Sequence, residues 1–200
     1  MIDIGTGDGV YVYQSALHHP RKFYIGVDAS PRPLEKVSEK IHRKPSKGGL
    51  PNALFVQAAV EDLPAELDGV ADAVHVHFPW GSLLRAAAAG ERLVLQNLRR
   101  ACSTGASLEV VLGIDPERDR TEMARLGLEP MSAAYIDSTL APQYRDAGFE
   151  VMERRVLSDA DWSQIHTSWA KRLRGSDSRS VFRIVARAAA LPADFPSSSM

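Results

Sequence analysis

Three glycines at alternate positions, Gly5, Gly7 and Gly9, follow directly on the strand-like Ile2-Asp3-Ile4 and precede a helical pattern. A turn with so few side chains leaves its backbone bare, so that a ligand can approach it closely. Nineteen residues after Gly9, a second strand-like run, Phe23-Tyr24-Ile25-Gly26-Val27, ends in Asp28. At that place an acidic side chain can accept hydrogen bonds from both hydroxyls of a ribose. Turn and acid together point to an adenosine-containing cofactor. A tight strand-to-helix turn serving a nicotinamide cofactor, or none, would use the same glycines.

The spacing is G-x-G-x-G and not the dinucleotide G-x-G-x-x-G, and Asp3 precedes it. That resembles the first motif of class I S-adenosylmethionine-dependent methyltransferases. The resemblance implies that Asp3, Gly5, Thr6, Gly7 and Gly9 hold the methionine end of the cofactor and Asp28 its ribose. Strand signals at 1–4, 23–28, 53–58, 72–78, 106–113, 149–157 and 180–187 alternate with helix signals at 9–18, 31–43, 90–101, 117–126, 139–147 and 162–174. Such alternation predicts an α/β doubly wound sheet. It fits the Rossmann-like seven-strand sheet of class I methyltransferases, whose last strand is antiparallel. The expected layout is one methyltransferase domain over 1–190 and a flexible tail over 191–200, rich in proline and serine. The chain starts one residue before its first strand, so an N-terminus shorter than is usual for such enzymes is also expected.

Two hundred residues at 44% hydrophobic content suit a single domain with a full core. No apolar run approaches the roughly 20 residues that span a bilayer, and no secretory signal opens the chain, so a cytoplasmic protein is expected. A single Cys102, in a helical-looking stretch, excludes an internal disulfide and reads as a small core residue. The formal net charge of −1 hides two basic stretches, net +4 over 32–47 and net +5 over 166–187. That distribution suits a polyanionic partner.

After the fourth strand comes His77-Phe78-Pro79-Trp80-Gly81-Ser82-Leu83-Leu84, at the carboxyl end where open α/β sheets bind ligands. Trp80 alone would read as a packing residue over the sheet edge. Thr167-Ser168-Trp169-Ala170-Lys171-Arg172-Leu173 supplies a second tryptophan at a helix start, followed by a basic turn. Two aromatics can stack on both faces of an extruded base. These segments, with Asn52-Ala53-Leu54-Phe55-Val56 and Val60-Glu61-Asp62-Leu63-Pro64, resemble the aminoglycoside-resistance methyltransferases of the kanamycin and apramycin type, which modify N1 of adenine 1408 in 16S rRNA. The resemblance runs through essentially the whole chain in order. It implies Val60 and Glu61 around the cofactor's adenine, and further cofactor contacts at His77, Phe78, Pro79, Gly81, Ser82, Thr167 and Ser168. It also implies a clamp of Trp80 and Trp169 on the flipped adenine, and rRNA contacts from Lys36, Lys40, Arg43, Lys44, Lys47, Lys171, Arg172 and Arg179.

N1 of adenine carries an in-plane lone pair and no proton, so attack on a sulfonium methyl needs no general base and catalysis reduces to positioning. The expectation is therefore an enzyme using S-adenosylmethionine on 16S rRNA in the 30S subunit, as a monomer and without a metal. The six histidines show no metal-ligand spacing with acids or cysteines. A transfer-RNA guanine-N7 methyltransferase has a similar F-P loop, but one that continues into a second Pro-Trp and a basic cluster. A small-molecule methyltransferase leaves the basic stretches unused. A non-catalytic, cofactor-binding RNA-associated protein is the rival from another class. The basic face at 36–47 is equally that of a solvated surface helix.

Overall fold

A computed structural model describes residues 1–158, 161, 162, 165, 167, 168, 170 and 180–190. Its centre is a seven-stranded sheet of β1 (Ile2–Ile4), β2 (Tyr24–Asp28), β3 (Ala53–Gln57), β4 (Ala71–His77), β5 (Cys102–Leu112), β6 (Phe149–Val156) and β7 (Phe182–Ala188), in the order β3-β2-β1-β4-β5-β7-β6. The first five strands run parallel, and β7 lies antiparallel to both β5 and β6. This is the expected seven-strand arrangement with an antiparallel last strand. All three residues of β1 are buried, as a central parallel strand covered on both faces requires, whereas edge strand β3 buries only Ala53. The strand order reverses between β1 and β4, and a crevice opens there at the carboxyl edge.

Helices α1 (Val10–His18) and α2 (Pro31–Ile41) pack on β2 and β3 through Val12, Tyr13, Ala16, Tyr24, Ile41 and Ala53. Helices α3 (Gly81–Ala89), α4 (Arg92–Ala101), α5 (Arg120–Leu126), α6 (Ala133–Tyr135) and α7 (Ala141–Asp146) contribute to the larger core, with a π-helical stretch at Ile136–Leu140 joining the last two.

Three expectations need correction. Helix α3 has no counterpart among the predicted elements, because the run of alanines from Ala86 to Ala89 has no amphipathic signature; Gly90, at φ 71°, terminates it in the left-handed conformation. Trp80 therefore stands at the N-cap of α3. Strand β5 begins at Cys102 and not at 106, because α4 runs into it without a connecting loop. Cys102 is thus a strand residue, though buried as anticipated, and burial pushes its thiol up to about 12. The expected tail over 191–200 and most of the predicted 162–174 helix lie outside the described residues.

Candidate active site

A cavity of about 450 Å³ lies at the switch between β1 and β4. Asp3, Gly5, Thr6, Gly7, Asp28, Val60, Glu61, His77, Phe78, Pro79, Trp80, Ser82, Thr167 and Ser168 all line it, so residues from five separate stretches of sequence converge there. Gly9 and Gly81 do not line it. A Cβ on Gly9 would stand 2.6 Å from Phe55 and 2.7 Å from Val37, so this glycine serves the packing of the turn. Gly7, at φ 57°, faces open space where a Cβ would sit, which leaves its backbone bare toward the cavity.

Asp28 braces the turn from the end of β2. Its Oδ2 accepts the Gly7 N–H at 2.8 Å and its Oδ1 accepts the Ser30 N–H at 2.9 Å. Each carboxylate oxygen keeps a lone pair for a further donor such as a ribose hydroxyl. Asp3, 3% exposed, forms the floor, and burial lifts its carboxyl from 3.8 to about 6, against the opposing influence of His77. A cationic ammonium beside it would restore the carboxylate. Open glycine backbone, a buried acid and a two-oxygen acceptor at the rim fit S-adenosylmethionine.

Asn97, on the buried face of α4, holds the Val60–Glu61 wall by donating from Nδ2 to both carbonyls, at 3.0 and 2.9 Å. Arg100 continues the frame to the Asn97 side-chain oxygen, the Leu63 carbonyl and Asp68. The sequence reading passed over Asn97; its one local signal is an amide among the apolar positions of α4.

Phe78 is the one non-glycine residue with positive φ among the described residues, at 49°. Such strain costs about 1–3 kcal/mol and recurs at functional sites. Its ring stacks on Trp162 at 5.7 Å between centroids and packs with Leu157, Ile165, Ala170 and Val181. Phe78 thus anchors the β6–β7 connection to the sheet edge, and Trp162 is a second residue that the sequence reading missed. The strand turns at Phe78 and presents Trp80, 52% exposed, at the cavity rim. Trp169, Lys171, Arg172 and Arg179 lie outside the described residues.

Beneath the cavity, His77 Nε2 meets Glu109 Oε1 at 2.8 Å, and Arg183 donates twice to Glu109 Oε2. Burial raises the Glu109 carboxyl, but the His77 hydrogen bond and the charges of His77, His75 and Arg183 outweigh it and hold it at about 2. Burial drives His75 down to about 3, and its Nδ1 pairs with the Tyr11 hydroxyl at 2.8 Å. The ligand atoms of His75, His77 and Glu109 fall within 4.8 Å of one another, a proximity that linear spacing conceals. The Arg183 guanidinium already neutralises the carboxylate, and a second cation there would be repelled.

Among the basic residues of α2 and beyond, Lys36, Arg43, Lys44 and Lys47 are exposed. Lys40 is half-buried, with Nζ 3.7 Å from the centroid of the Tyr13 ring, so it has a structural task there. Pro33, near the start of α2, lines the cavity, and the helix then carries the chain about 12 Å along its axis from there to Ile41, at 1.5 Å per residue. Arg43, Lys44 and Lys47 follow at that far end.

Comparison with known proteins agrees with this geometry. The profile of the NpmA family, 16S rRNA (adenine(1408)-N(1))-methyltransferase, matches residues 1–188. A 16S rRNA (adenine(1408)-N(1))-methyltransferase of Escherichia coli is 38% identical over 187 residues, which cover 92% of this chain and 84% of that protein. One of Streptoalloteichus tenebrarius is 37% identical over 179 residues, 90% of this chain and 82% of its own. The crystal structure of the aminoglycoside resistance methyltransferase NpmB1 superposes with a TM-score of 0.84 at 50% identity, covering 94% of this chain and 86% of that one. A W203A mutant of the Catenulisporales acidiphilia enzyme, solved with its cosubstrate SAM, gives 0.86 at 35% identity, covering 96% and 86%.

Proposed function

The chain belongs to the 16S rRNA (adenine(1408)-N(1))-methyltransferase family, and from that membership we propose that it methylates N1 of adenine 1408 within the 30S subunit, using S-adenosylmethionine, and so confers aminoglycoside resistance. The observation that most supports this reading is the half-exposed Trp80 at the rim of a cavity walled by the glycine turn and Asp28. An aromatic face at that place has a base to receive.

S-adenosylmethionine supplies an electrophilic methyl on a sulfonium centre. The N1 lone pair of adenine forms the new N–CH₃ bond as the S–CH₃ bond breaks, and the electron pair stays on sulfur. The adenine ring takes up the positive charge. No proton leaves N1, so no side chain need act as a base, and of the acids lining the cavity, Asp3, Asp8, Asp28 and Glu61, the first and third are placed to bind the cofactor. Asp28 and the Gly5–Gly9 turn hold the cofactor, and the Val60–Glu61 wall flanks its adenine. Trp80, with Trp169, stacks on the flipped base, and its π face stabilises the charge that develops there. Exposed Lys36, Arg43, Lys44 and Lys47, with Lys171, Arg172 and Arg179, contact rRNA phosphates. Among the described residues no helix is long and apolar enough to cross a membrane. We take it to work in the cytoplasm, on 30S subunits, and to act as a monomer.

The test is transfer of labelled methyl from S-adenosylmethionine to purified 30S subunits, followed by primer extension across the decoding site. N1 methylation blocks base pairing, so the polymerase should stop beside adenine 1408. Label found on transfer RNA and absent from 30S subunits would favour the guanine-N7 reading instead.

A further inference from the structure

Asp8, within the glycine turn, meets Ser168, 160 residues later in the chain. The Ser168 hydroxyl donates to Asp8 Oδ2 at 2.5 Å, while Asp8 Oδ1 accepts the Val10 N–H at 3.2 Å. One carboxylate oxygen is thus committed to the start of α1, which fixes the other as an acceptor. On the opposite side, Thr167 Oγ1 accepts the Ala170 N–H at 2.9 Å and sets the turn on which Ser168 sits. Both partners line the cavity, Asp8 beside Gly7 and Ser168 beside Thr167. The β6–β7 connection is anchored a second time where Ile165 and Ala170 pack with Phe78.

We propose that Asp8 and Ser168 form a positioning pair that ties the segment bearing Trp169 to the cofactor-binding turn. The inference rests on the methyltransferase reading and adds to it a residue pair linking the substrate side of the cavity to the cofactor side. In-line transfer tolerates little misplacement between nucleophile and methyl. A hydrogen bond to a carboxylate is charge-assisted and directional, suited to holding a connection in register before the rRNA arrives. The Ser168 hydroxyl proton is given to Asp8 and so is not available to the cofactor.

The experiment compares the full chain with Ser168→Ala, Ser168→Thr, Asp8→Ala and the Ser168→Ala/Asp8→Ala double variant. Cofactor affinity is read by calorimetry, kcat and KM by methylation of 30S subunits, and protection of the 167–170 backbone by hydrogen exchange. Ser168→Ala and Asp8→Ala should each lower kcat/KM about five- to tenfold, the loss of one exposed, charge-assisted hydrogen bond. The double variant should be no worse than the poorer single one, Ser168→Thr should keep most activity, and cofactor affinity should stay within about twofold. Additive losses, failure of threonine to rescue, or a parallel fall in cofactor affinity would overturn the pair. Should the unaltered chain bind cofactor yet methylate no 30S subunits, the functional reading fails and hydrogen exchange still judges the pair. Equal loss of protection in both single alanine variants then supports it, and unchanged protection refutes it.

Discussion

Replacing Trp80 by alanine separates a base-stacking role from a packing one. A fully buried tryptophan cut to alanine costs about 3–5 kcal/mol. Trp80 is 52% exposed, so about half of that burial is at stake and the loss should stay near 1.5–2.5 kcal/mol. For a chain of this size such a loss lowers Tm by roughly 3–10 °C, and the protein remains folded at 25 °C. Loss of one stacking face on a flipped base costs about 1–3 kcal/mol. At 1.36 kcal/mol per decade, kcat/KM for 30S methylation should fall roughly 5- to 160-fold. Trp80→Phe retains a smaller π face and should lie between. The assay is methyl incorporation into 30S subunits beside a thermal melt of each variant. An alanine variant with full activity, or one whose lost activity follows its unfolded fraction, would refute the stacking argument.

Three further outcomes follow from the same geometry. Asp28→Ala should weaken S-adenosylmethionine binding by about 1.5–3 kcal/mol in calorimetry, with Asp28→Asn weakened less because an amide oxygen can still accept the Gly7 N–H; unchanged affinity would remove Asp28 from the ribose site. Asn97→Ala strands the Val60 and Glu61 carbonyls and should lower urea stability by about 2–3 kcal/mol. Cofactor affinity should fall with it, and an Asn97→Ala protein that is less stable yet binds cofactor normally would show that α4 does not position this wall. Asp3 titrates at about 6 when folded against an ordinary 3.8, so between those values the folded chain holds a proton that the unfolded chain has released. Asp3's contribution to stability therefore declines as pH rises through that window and is level above it. A cationic cofactor group next to the carboxylate reverses the dependence for binding, and affinity should climb up to about pH 6, then level off. A flat affinity from pH 5 to 7.5, or one unchanged by Asp3→Asn, would place the ammonium elsewhere.

The sheet, the glycine turn and Asp28 were legible in the amino-acid order because each is a local requirement. Positive φ at Gly5, Gly7 and Gly9 follows from the turn itself, and the apolar run of β2 shows within five residues. Trp80 at the cavity rim was legible too, since a strand end in this fold class is a binding edge. Helix α3 escaped notice because four consecutive alanines have no polar face to set a period. The spacing groups Gly9 with the cofactor residues, whereas the crowding of Phe55 and Val37 where a Cβ would sit shows only in the fold. Tertiary structure alone brings Asn97 to the Val60 carbonyl, Glu109 between His77 and Arg183, and Ser168 to Asp8, across 37, 32, 74 and 160 residues. Hydrogen bonds over such separations leave no periodic trace in the chain, because their partners are chosen by where the strands and helices happen to deliver them.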